Sequence, residues 1–175
     1  MEILREAIFW LFLISTVFTD IKYGRIFNAA TFPVAIIGVV LNTARSGAAG
    51  LWMSLGGMAL GLALLGWVYY LGGAGGGDVK FLGAVGALMG YEFVFTGAVC
   101  GFIVAGLAAV IFIIIKKQFA RTWGNVFEIF KNFFIAQGAA RIKTNPALPA
   151  MPYGVYLSIG FGLVRLYYIL LPVAK

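Results

Sequence analysis

The sequence predicts an all-α, polytopic membrane protein: six transmembrane helices plus a cytoplasmic amphipathic helix in the membrane interface, all in one domain spanning 1–175. Three observations carry this. Of the 175 residues 62% are hydrophobic and 11% charged, whereas a soluble domain holds roughly a quarter charged residues. The apolar residues fall in uncharged runs near the ~20 residues that cross a hydrocarbon core. The 13 lysines and arginines, against six carboxylates, sit between those runs, as the positive-inside rule describes. For that reason the net charge of +7 does not indicate nucleic acid.

The first span covers about 3–19, flanked by Arg5 and Glu6. Its start is not basic and no small-residue cleavage site follows, so a cleaved signal peptide is not expected. A second span covers 27–43 and contains Pro33, tolerated where neighbours satisfy the freed carbonyl. Between Arg45 and Asp78 lie 32 uncharged residues, enough for a third span near 51–71 and a glycine-rich turn. The fourth segment, Val79–Tyr91, has 13 residues before Glu92. At ~1.5 Å per residue that is about 20 Å, short of the ~30 Å core. Either Glu92 is drawn inward or the segment begins below the membrane surface. A fifth span fills 93–115 and a sixth runs from about 151 to 171, ended by Pro172.

Residues 116–150 hold Lys116, Lys117, Arg121, Lys131, Arg141 and Lys143 against one acid, Glu128, which places them in the cytoplasm. Phe119, Trp123, Phe127, Phe130 and Phe134 recur there at helical spacing. That pattern suits an amphipathic helix on anionic lipid. Counting back, both termini lie outside and the turn with Lys22 and Arg25 lies inside. Asp20 and Asp78 then reach the same cytoplasmic face. Gly57/Gly61, Gly86/Gly90 and Gly97/Gly101 are spaced for close helix approach in lipid.

Composition narrows the chemistry. With no histidine, Ser-His-Asp and Cys-His triads, HExxH metal sites and haem ligation by histidine are excluded. The lone Cys100 excludes disulfides and CxxC sites. No cofactor and no metal are expected, and any hydrolytic chemistry must use carboxylates. The chain has two aspartates, Asp20 and Asp78. Asp20 closes an apolar helix, where the macrodipole is also negative; structurally it is an interfacial acid beside Lys22 or Arg25. Asp78 follows Gly72-Gly73-Ala74-Gly75-Gly76-Gly77, a run too glycine-rich for stable helix. It reads as an N-cap of the fourth helix. The run is neither a P-loop nor GxGxxG.

Intramembrane carboxylates are costly and mark functional sites. Two at one face form the arrangement of an aspartic-protease dyad: one ionised to deprotonate water, the other protonated to polarise the scissile carbonyl. The dipole argument places the shared proton on Asp20, while coupled sites titrate as a pair.

These residues resemble a known family. Gly75-Gly76-Gly77-Asp78 matches the GxGD motif of intramembrane aspartic proteases, extended to GxGD-x-K by Lys80. The chain is similar to type IV prepilin peptidases, above all the short forms serving Flp-type (tight adherence) pili, with archaeal preflagellin peptidases as relatives. Asp20 with Ile26 and Asn28 matches D-x5-I-P-N, with Phe27 standing where proline is usual. Pro152-Tyr153-Gly154 matches the P-Y-G that opens the last helix.

The resemblance implies an endopeptidase with Asp20 and Asp78 catalytic and Gly75, Gly77, Lys80, Pro152, Tyr153 and Gly154 as active-site motif. It implies a prepilin with a short basic leader as substrate, cut at the cytoplasmic face of a prokaryotic inner membrane. Nothing corresponds to the cysteine-paired domain that N-methylates mature pilin in larger relatives, so proteolysis without methylation is expected. The rival reading is a proton-coupled transporter using both aspartates as a relay; a non-enzymatic subunit pairing them with Lys22 and Lys80 is a third. The prepilin, the residues at the cut and the oligomeric state stay open.

Overall fold

Long apolar runs broken at glycines fold, among the described residues, into five α-helices. The computed structural model describes residues 1–70, 74–115 and 153–171. The helices are α1 (Glu2–Tyr23), α2 (Asn28–Tyr70), α3 (Gly76–Met89), α4 (Tyr91–Ile115) and α5 (Tyr153–Leu170). Three of them, α2, α4 and α5, are long and apolar enough to cross a membrane. With 22 residues, or about 33 Å, α1 is long enough, but charges at both ends exclude it from that set. At 14 residues, about 21 Å, α3 is too short. The amphipathic segment expected at 116–150 lies outside the described residues.

The 43 residues of α2 are two antiparallel arms, 28–46 and 48–70. They occupy the places of the second and third expected helices. Gly47 adopts φ 58° and ψ −134°, a conformation that glycine reaches without a Cβ penalty. Ser54 Oγ donates to Gly38 C=O at 3.4 Å, whereas 16 residues of straight helix would part them by about 24 Å.

Between these arms lies α3, buried at every position from Phe81 to Met89, as an all-round apolar helix must be. Its packing against α2 is the most extensive in the fold. Gly57 and Gly86 make this approach possible, because a Cβ on either would run into the other's carbonyl. The same economy joins α4 to α5 at Gly101 and Gly160. Phe9, Phe12, Phe81, Phe93 and Phe161 fill the centre, with Phe12 stacked on Phe81 at 5.3 Å.

The short reach of α3 has a cause in the packing around its end. It stops at Gly90 (φ 91°), whose N–H bonds Gly86 C=O at 2.8 Å, and its last carbonyls would otherwise be buried without partners. Buried Asn42 supplies them, with Nδ2 at 3.1 Å from both Ala87 C=O and Leu88 C=O and 2.8 Å from Ser54 Oγ. The chain then turns directly into α4, with Glu92 in its first turn.

Ion pairs gather at the opposite end of α1 from Asp20. Glu2 pairs with Arg45 at the α2 turn and with Arg5 at 2.7 Å, and Glu6 takes a two-point contact from Arg165, Nε at 2.8 Å from Oε2. Removing the Asn42 amide should leave two helix-end carbonyls unpaired. Asn42→Ala is expected to lower unfolding free energy by about 1–3 kcal/mol, read from denaturant titration in mild detergent.

Candidate active site

Three helix ends converge at the other end of the fold. The first, α1, stops at Gly24 (φ 60°), whose N–H bonds Asp20 C=O at 2.8 Å. This left-handed cap holds Asp20 in the last turn, 7% exposed. The second, α3, starts from an extended Gly75 N-cap. Asp78 is thus the third helical residue and not the N-cap that the sequence suggests. It is 9% exposed, and its carboxylate folds back beside Gly75. A Cβ on Gly75 would stand 2.8 Å from Asp78 Oδ2, so glycine leaves room for that fold-back.

The start of α5 is the third end. Val155 N–H donates to Asp20 Oδ2 at 3.2 Å. The positive end of the α5 dipole therefore faces Asp20 and offsets the negative end of α1. Placing the proton on Asp20 set the end of α1 against the helix start at Asp78, and this donor from α5 opposes the Asp20 half of that contrast.

Buried Ile26 wedges the three ends together. A Cβ on Gly77 would stand 3.1 Å from Ile26 Cβ, and one on Gly154 would stand 2.9 Å from Ile26 Cδ1 and 3.0 Å from Asp20 Oδ2. The backbones of α3 and α5 thus reach the loop after Asp20 only because neither position carries a side chain. Asp20 and Asp78 come close enough to interact electrostatically.

Lys80 faces away from the pair, its Nζ donating to Asn28 Oδ1 at 2.9 Å and standing 5.7 Å above the Phe32 ring. Lys22 Nζ lies over the Phe18 and Tyr23 rings, at 5.5 and 5.2 Å. Among the described residues neither aspartate forms an ion pair with a lysine, which removes the structural pairing with Lys22 and Lys80. One turn below, Thr16 Oγ1 and Ser158 Oγ are buried without a hydrogen-bond partner.

Beside Asp78 a cavity of about 380 Å³ opens between the second arm of α2, α4 and the start of α5. Asp78 and Tyr153 are its polar walls; Leu65, Phe102 and Leu157 belong to an otherwise apolar lining. Asp20, Gly75, Gly77, Asp78, Lys80, Tyr153 and Gly154 all lie at this end, while Pro152 falls outside the described residues. Reading the sequence found the letters Ile26 and Asn28 without their tasks, and it missed the Val155 donor and the cavity. Pairing each motif with the others, rather than reading each alone, is the signal that would have linked Asn28 to Lys80.

A family model described as the type IV leader peptidase family matches residues 7–115, more than half of the chain. The chain belongs to that family. No curated protein and no solved structure matches it. Leader peptidases are hydrolases, and the matched stretch includes both aspartates with the glycines around Asp78. Two adjacent carboxylates can divide base and acid work on a water molecule.

In this leader peptidase the glycines before Asp78 should differ in tolerance. A Cβ on Gly76 meets only the Tyr69 ring, at 3.4 Å, while one on Gly77 pushes Ile26 and with it the Asp20 turn. Gly77→Leu is expected to cost peptidase activity about 10²-fold, the scale of a 1 Å misplacement, and Gly76→Ala no more than about twofold. Initial rates on a leader-bearing substrate check both.

Proposed function

We propose that this leader peptidase is a membrane-embedded aspartic endopeptidase that removes the short basic leader of Flp-type prepilins, with Asp20 and Asp78 as its catalytic pair. The observation that carries the reading is the convergence of the two aspartates on the wedge of Ile26, with no lysine taking either charge among the described residues. One carboxylate, ionised, takes a proton from a water molecule, and the resulting hydroxide adds to the scissile carbonyl. The other, protonated, donates a hydrogen bond to that carbonyl oxygen. Collapse of the tetrahedral intermediate breaks the C–N bond, and a proton passes to the leaving amine.

The proposed topology has six spans: α1, the two arms of α2, α3 with its short reach, α4 and α5. Both termini lie outside, and the aspartate end faces the cytoplasm of a prokaryotic inner membrane. Lys22, Arg25 and Lys80 at the aspartate end support this orientation. The basic, aromatic segment 116–150 lies on anionic lipid at the same face.

Co-expression with a Flp-type prepilin tests the reading. Wild type removes the leader, while Asp20→Asn and Asp78→Asn each reduce removal by at least about 10²-fold, the scale of lost acid–base catalysis. Immunoblots resolving precursor from mature pilin give the answer, and leader removal undiminished in both variants would contradict the dyad.

A further inference from the structure

Three glycines lie within α4, and one of them has no packing reason. At Gly97 a Cβ would strike the Phe161 ring, and at Gly101 it would stand 2.9 Å from Leu157. At Gly106 a Cβ would meet nothing within 4 Å among the described residues, although glycine inside a helix costs roughly 1 kcal/mol relative to alanine. Gly106 lines the cavity whose wall contains Asp78, and Ala105 and Ala109 line it on the same helix. Three small residues of α4 therefore border an open space that reaches Asp78.

We propose that this space over Gly106 is the subsite for the apolar side chains that immediately follow the scissile bond, and that Gly106 sets their permitted size. The inference rests on the peptidase reading above. Whatever enters the cavity lies against Asp78, so it belongs to residues next to the cut. Its lining holds no charge but Asp78, and burying a basic leader against such a surface would strand its cations. The apolar side of the cut is the side that fits. At about 380 Å³ the space is at the lower end of the roughly 300–1,000 Å³ of ligand pockets, which suits a few side chains.

Gly106→Leu puts a side chain into the space from a position where an added Cβ meets no atom of the described residues within 4 Å, which makes it the probe. The full chain in lipid vesicles is given two leader-bearing substrates, one with bulky residues (Leu, Phe) directly after the cut and one with alanines there. Gly56→Leu is the control, because a Cβ at Gly56 also meets nothing within 4 Å and Gly56 lies outside the cavity. Gly106→Leu is expected to lower kcat/KM for the bulky substrate by about tenfold or more, the scale of one or two misfitting methylenes. For the alanine substrate it stays within about twofold of wild type. Gly56→Leu treats both substrates as wild type does.

Equal rates for Gly106→Leu and wild type on both substrates would overturn the subsite, as would an equal loss on both. Those are the results expected if lipid, or residues 116–150 of the chain, occupied the space. Wild type cleaving neither substrate would instead overturn the peptidase reading on which the subsite depends.

Discussion

Backbone-to-backbone contact, made possible where glycines replace side chains, is the constraint on which the rest of this structure depends. Between helices in lipid there is little hydrophobic driving force, and association rests on van der Waals packing and interhelical hydrogen bonds. At Gly57 and Gly86 the second arm of α2 and the buried α3 meet with no Cβ between them. At Gly77 and Gly154 the same device lets α3 and α5 close on Ile26 and Asp20. A side chain at Gly57 or Gly86 would part α3 from α2, and one at Gly77 or Gly154 would press on Ile26 or Asp20.

Charge is segregated along the bundle in a way that gives the two ends different work. The start of α1 is held to the α2 turn and to α5 by pairs of Glu2 and Glu6 with arginines. At the other end Lys80 is engaged by Asn28 and Lys22 by aromatic rings, while Asp20 and Asp78 lie within electrostatic reach of each other. The Asn28–Lys80 bond ties together the segments that follow the two aspartates in sequence. It gives both residues a positioning task, with neither touching the candidate pair.

Much of this was legible in the sequence where a residue type has few alternatives. Two aspartates in an apolar chain without histidine left little else to do hydrolysis, whereas the glycine run before Asp78, read as irregular backbone, is already helical from Gly76 onward. The glycine pairs read as packing marks do pack, Gly57 against Gly86 and Gly101 against α5. What was not legible depends on contacts between distant segments. The shortness of α3 was visible, but its cause was not, because Asn42 caps carbonyls 45 and 46 positions later. Asp78 was read as an N-cap, since nothing local distinguishes that place from the third helical position when the cap is a glycine. The proton was placed on Asp20 from the helices that carry the two aspartates; the opposing donor at Val155 lies 135 positions away.

The central claim is that Asp20 and Asp78 are brought together by the helices themselves. It is tested most directly by proximity in the membrane. Asp20→Cys and Asp78→Cys, combined in a Cys100→Ser background, should be bridged within one chain by a short bis-thiol reagent in native membranes. Adding Gly77→Leu should abolish the bridge, and the single-cysteine chains should react without forming it. Failure of the double variant to bridge, with both thiols reactive on their own, would contradict the account.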